Sequence, residues 1–166
     1  AACKIEHVPS VTKEITGKPM TMTEATAPLG GEPTLEAVPV KYQGIDFTPP
    51  ESVQKAAMRG LALRRKFGRG GLDTKQAGAQ GIGSGVARAT TLASGKAVSP
   101  DTIRQMVAFF ARHEKNLDTP PEKGNGMIAG LLWGGRPGMA WANGIKRRMD
   151  AADNKAEAIL AAIRGN

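Results

Sequence analysis

Ser99-Pro100-Asp101-Thr102-Ile103-Arg104-Gln105-Met106-Val107-Ala108-Phe109-Phe110-Ala111-Arg112-His113 is the stretch on which the fold class turns. Ser99 is placed to cap a helix, because its side-chain oxygen can accept from a backbone N–H that has no partner in the first turn. Pro100 stands at the first helical position, where the missing N–H costs nothing. Ile103, Met106, Val107 and Phe110 then recur at three- and four-residue intervals, which is one face of a helix. His113 closes the stretch where the helix C-terminus favours a cation, a structural role for that side chain.

The same grammar extends in both directions. Downstream, Pro120, Pro121, Gly124 and Gly126 mark a loop over 117–126, followed by a short buried helix carrying Met127, Ile128, Leu131, Leu132 and Trp133. Gly134, Gly135 and Pro137 restart the chain into a last helix. Its apolar face runs Trp141, Ile145, Met149 and Ala152, then Ala156, Ile159, Leu160 and Ile163. Upstream, Ser84 is placed to cap a helix through Leu92, with Gly95 closing it in left-handed geometry. A short helix is expected over 74–80. Thr48-Pro49-Pro50-Glu51 reads as a further start, with Thr48 as cap and Glu51 completing a capping box. Val53, Ala57 and Leu61 follow on one face, and the helix should end within Gly68 to Gly71.

The fold expected is therefore mainly α: a compact five- or six-helix domain over 47–166, with no strand pattern and no internal repeat. The tail after about residue 150 continues the last helix. Aromatic residues are only 4% of the chain against 40% hydrophobic, so the core must rest on aliphatic side chains and helix packing rather than on a β-sandwich.

Residues 1–46 have a different composition and read as a long extended, proline-rich arm. Pro9, Pro19, Pro28, Pro33 and Pro39 recur through it, and proline breaks helices. Val8, Val11 and Ile15, then Leu35, Val38 and Val40, are scattered apolar pegs, too few to order the segment alone. Such an arm is either disordered or ordered by lying on a partner. The charge divides at the same place. Residues 1–50 hold four Lys and six acids, a net −2, whereas 51–166 hold nineteen Lys or Arg and nine acids, a net +10. A basic body points to a polyanionic neighbour, nucleic acid or an acidic protein surface.

Catalysis finds little support in the residues. His7 and His113 are the only histidines and Cys3 the only cysteine, with no triad or metal-ligand spacing, so neither an enzyme nor a metal or other cofactor is expected. Cys3 is read as a free thiol, with an intermolecular disulfide the other option. No apolar run is long enough for a membrane span and no signal peptide is expected. Gly81-Ile82-Gly83-Ser84-Gly85 lacks the Lys-Ser/Thr of a nucleotide loop. It has two other readings: a glycine-rich turn between packed helices, or a helix-hairpin-helix-like element that would bind DNA backbone through main-chain amides. In the second, Gly81 and Gly83 would approach phosphate, with Arg88, Arg64, Arg65 and Arg69 nearby. Trp133 and Trp141 flank an arginine and could stack bases, but their spacing favours core anchors.

The stretch from Asp46 to Trp141 resembles a small module that recurs in tailed-bacteriophage and prophage virion or head proteins, alone or beside prohead-protease domains. The residues that carry the resemblance are Phe47, Pro49-Pro50, Val53, Ala56-Ala57 and Gly60-Leu61, then Gly81-Ile82-Gly83-Ser84-Gly85, Arg88-Ala89 and Leu92-Ala93-Ser94-Gly95. Ser99-Pro100, Thr102, Met106, Phe109-Phe110, Arg112-His113-Glu114, Leu132-Trp133-Gly134-Gly135 and Trp141-Ala142 complete it. The resemblance implies phage origin rather than a particular activity, and it supplies no catalytic residues to carry over. Joined to the arm-and-body layout, it leads us to expect a virion protein made in the host cytoplasm. Its role would be capsid-associated and structural, that of a decoration or cement protein whose arm pegs hold the major capsid protein and which can also contact copies of itself. The alternative expectation is a DNA-binding phage protein using the basic body.

Overall fold

A computed structural model describes residues 38–79 and 84–165. Its α-helices are α1 (Glu51–Phe67), α2 (Thr74–Ala79), α3 (Gly85–Ala93), α4 (Pro100–His113), α5 (Gly126–Leu132) and α6 (Gly135–Arg164). Two short 3-10 turns, Val40–Tyr42 and Glu114–Asn116, complete the regular structure, and no strand occurs among the described residues. The mainly helical reading is thus correct. The pegs Val8, Val11, Ile15 and Leu35, and the loop residues Gly81 and Gly83, lie outside the described residues.

Helix α1 is the hub: α5, α3 and α6 all pack on it, while α4 packs mainly on α6. The core joins Val53 and Ala57 of α1 to Leu92, Ile103, Met106, Phe110, Ile128, Leu132, Ile145 and Met149, all essentially without solvent contact. The crossing of α1 and α5 is close because Gly60 has no side chain. A Cβ there would stand 2.7 Å from the backbone nitrogen of Leu132 and 2.8 Å from the carbonyl carbon of Leu131.

Several local signals act as the sequence suggests. Ser99 Oγ accepts from Thr102 N–H at 3.2 Å and Ser84 Oγ from Ala87 N–H at 3.1 Å, so both serines cap their helices. Gly68 and Gly95 end α1 and α3 with φ of +64° and +69°, the left-handed conformation that glycine adopts without strain. The start of α1 differs. Thr48 does not cap it; Asp46 Oδ1 instead accepts from Thr48 N–H at 2.8 Å, which holds the Asp46 carboxyl below its ordinary value. The tandem prolines explain the shift. Pro49 keeps the residue before it out of helical geometry, and Pro50 is itself extended at φ −62°, ψ 160° and becomes the N-cap. Its carbonyl accepts from Val53 and Gln54 N–H, and Glu51 pairs with Lys55 rather than closing a capping box. A capping box does form at α2, where the Asp73 carboxylate accepts from Gln76 N–H and the Gln76 side chain accepts from Asp73 N–H.

The body begins earlier than Phe47. Tyr42, read as part of the arm, is 1% exposed and belongs to the core. Its ring meets Phe47 edge-on at 6.5 Å. Its hydroxyl donates to the Asp153 carboxylate at 2.8 Å and accepts from Arg104 at 3.0 Å. Lys41 pairs with the same carboxylate at 2.7 Å. Residues 39–46 are therefore clamped onto α4 and α6. An aromatic with a polar tip has this use wherever a buried ring ends at charged groups near the surface.

Helix α6 is 30 residues long, about 45 Å at 1.5 Å per residue, and it outruns the body. Ala142, Ile145 and Met149 are buried, whereas Ile159, Leu160 and Ile163 on the continued apolar face are 52%, 51% and 68% exposed. No described helix is long and apolar enough to cross a membrane.

Candidate functional site

The residues Phe109, Arg112, His113 and Asn116 recur at helical spacing along α4 and the 3-10 turn that follows it. They line one wall of a 610 Å³ cavity. Helix α5 supplies Gly126 and Ala129, with Trp133 just past its end, and Gly71, Leu72, Gly85, Thr119 and Asn125 complete the lining. The Arg112-His113 pair at the end of α4 and Trp133 just after α5 thus meet at one place.

The wall is built as a stack of rings. Phe109 and Trp133 lie parallel, with centroids 4.6 Å apart and planes 8° from each other. His113 tilts against Phe109 at 4.8 Å, and Phe110 meets it edge-on at 5.4 Å from the core side. Offset contacts of this kind between rings contribute about 0.5–1.5 kcal/mol beyond their burial. The Arg88 guanidinium stands 5.4 Å from the Trp133 ring centre, within cation–π range. Trp133 is half-buried and packs against the core, in keeping with the core-anchor reading. Its ring also faces the cavity. Trp141 is likewise half-buried and lines a separate 460 Å³ groove with Asp46, Thr48, Pro49, Pro50, Gly144, Ile145 and Arg148.

The arginines singled out in the sequence do not act together. Arg88 donates to Thr102 Oγ1 at 2.7 Å and to Gln105 Oε1, which fixes α3 against α4. Burial pushes its guanidinium down from the ordinary value, and its buried Nε has no hydrogen-bond partner among the described residues. Thr102 is a buried polar residue, and it serves both this arginine and the Ser99 cap. Arg69 donates to the carbonyls of Pro121 and Glu122 and so holds the proline loop against the end of α1. Arg64 is half-buried and Arg65 is exposed. Two of the four arginines among the candidate DNA contacts are therefore engaged within the fold. Of the arm pegs, Val38 is 37% and Val40 79% exposed, immediately before the Tyr42 clamp.

Sequence reasoning missed the Phe109–Trp133 cavity and the Tyr42 clamp. The 109, 112, 113, 116 spacing carries a signal for the first, since it continues one helical face beyond the apolar stripe. The clamp leaves no local signal, because Tyr42 and Asp153 are 111 residues apart.

Among the described residues no three His, Cys, Asp or Glu side chains gather as a metal site would require. Comparison of the chain with known protein families, with curated proteins and with solved structures gave no match.

Proposed function

We propose that this protein is a bacteriophage capsid-associated structural protein, a decoration or cement protein that holds the major capsid protein through its N-terminal segment. The observation that carries the reading is the clamp at Tyr42, which fixes the end of the arm to α4 and α6 and leaves Val38 and Val40 on the surface beside it. A segment that is apolar at intervals and anchored at one end can add its backbone to a neighbour's sheet edge with less ordering entropy than a free peptide. The resemblance to phage head proteins points the same way. The test is co-sedimentation of the full chain, and of a form lacking residues 1–37, with bare capsids. The full chain should sediment with the shell and the truncated form should remain largely in solution. Equal attachment by both would refute residues 1–37 as the contact.

The second reading, a DNA-binding phage protein, has one observation in its favour. Five ion pairs engage Glu51, Asp101, Asp118, Asp150 and Asp153, five of the nine acids in 51–166. These pairs use only four of the nineteen Lys and Arg of that region, Lys55, Arg104, Arg136 and Lys146, and leave the other fifteen outside any ion pair among the described residues. Binding to duplex DNA at low salt that falls steeply as salt rises would support it, and no binding at low salt would end it.

A further inference from the structure

We propose that the cavity framed by Phe109, Arg112, His113, Asn116, Asn125 and Trp133 binds a nucleotide, either free or as an unpaired unit of a single strand. The inference rests on this cavity alone and does not depend on the capsid reading.

The cavity's 610 Å³ lies within the roughly 300–1,000 Å³ usual for small-molecule sites. A lone inorganic anion would occupy a minor part of it. Its lining contains a guanidinium and an imidazole but no carboxylate, so the charge it presents suits an anion. Arg112 takes part in none of the ion pairs among the described residues and is exposed, which leaves its planar fork of donors for a phosphate. The Arg88 guanidinium beside Trp133 adds positive charge to the aromatic wall.

The remaining lining groups separate a nucleotide from other organic anions. Asn116 and Asn125 each offer two donors and an acceptor. The edge of a nucleobase, which alternates donors and acceptors, uses both kinds; an aliphatic carboxylate uses only the donors. The Phe109 and Trp133 rings are stacked on each other, so they give a planar base an apolar border to lie against rather than a free face to stack on. The base therefore lies against Phe109 and Trp133 with its edge towards the amides, and the phosphate lies at Arg112 and His113.

The chain has two tryptophans, and Trp141 lines a different groove. Trp141→Phe in the full chain therefore leaves Trp133 emission as a reporter of the cavity. The probes are deoxyadenosine 5′-monophosphate, deoxyadenosine, and a single strand of about ten deoxyadenylates, a length within common single-strand site sizes. Saturable change of Trp133 emission is expected with the monophosphate and with the strand. Binding should weaken about tenfold or more for deoxyadenosine, and likewise when Arg112→Gln is introduced, since each removes a charge-assisted contact. Lys96→Gln, an exposed cation outside the lining, should leave the affinity within about twofold, the signature of a site rather than of general attraction. Strand binding much tighter than monophosphate binding would assign the site to strands, and equal binding to free nucleotides. The proposal is overturned if neither probe moves Trp133 emission at millimolar concentration. It is also overturned if Lys96→Gln and Arg112→Gln weaken binding alike, or if only an acidic apolar peptide produces the change. Arg112 is exposed, so an unchanged thermal midpoint keeps loss of binding distinct from loss of fold, and Asn116→Ala provides an independent second variant.

Discussion

Replacing Gly60 with alanine sets two effects of known sign against each other. Alanine in a helix interior is favoured over glycine by about 1 kcal/mol, so α1 taken alone would gain. Against this, the new Cβ would sit 2.7 Å from Leu132 N and 2.8 Å from the Leu131 carbonyl carbon. Both are backbone atoms of α5 and cannot swing aside, so the two helices must separate where they are closest. Overpacking typically costs about 1–3 kcal/mol, and a clash with backbone belongs at the upper end. The net expectation is a destabilisation of about 2 kcal/mol, a fall of roughly 8 °C in Tm for a body of this size. Gly144→Ala supplies the contrast. Gly144 lies within α6, and a Cβ there meets only the end of Arg147 at 4.0 Å. It should raise stability by up to about 1 kcal/mol. Thermal melts followed by circular dichroism on the two variants decide the matter. A Gly60→Ala protein melting at or above the parent would show that α1 and α5 do not cross as closely as described.

Removing residues 1–37 should leave the Tm of the body within a few degrees of the parent, whereas removing 1–45 also deletes the buried Tyr42 and should lower stability by about 3 kcal/mol or more, as for other aromatic core truncations. Tyr42→Phe keeps the ring and loses the hydroxyl bonds to Asp153 and Arg104; denaturant melts should show a loss of about 1 kcal/mol. Hydrogen bonds from Lys41 and Tyr42 hold the Asp153 carboxyl below its ordinary value of 3.8. That depression stabilises the fold at pH above 3.8 and is lost as pH falls through the lowered folded value, so Asp153→Asn should flatten the acid limb of a stability–pH curve measured below pH 3.8. Trp133→Ala should cost about 2 kcal/mol by thermal melt rather than the 3–5 kcal/mol of a full core truncation, because its ring is only half-buried.

The helices were legible because their signals are local. Ser84 and Ser99 announce their helices through a side chain that reaches no further than three residues, and Gly68 and Gly95 through a conformation that favours their residue type. The start of α1 was misread because two rules compete there: the capping preference of Thr48 gives way to the constraint that tandem prolines place on the backbone before them. The arm boundary was misread because composition locates a change of character, while the fold is held by a single tyrosine whose partners lie in α4 and α6. The cavity was hidden for a related reason. Arg112 and His113 sit at a helix end, where a cation has a sufficient local explanation, and only the packing of α5 on α4 brings Trp133 over Phe109.

Tyr42 also determines how the body takes mechanical load. A pull on the chain ahead of Val38 passes along the backbone into a ring wedged in the core, with its hydroxyl held from α6 by Asp153 and from α4 by Arg104. The Lys41–Asp153 pair resists alongside it. These restraints share the strain in parallel rather than yielding one after another as a frayed helix would. Helix α1, the hub on which α3, α5 and α6 pack, lies after this cleat in the chain. Tension from the N-terminal side must overcome the Tyr42 fastening before it can begin to unwind α1.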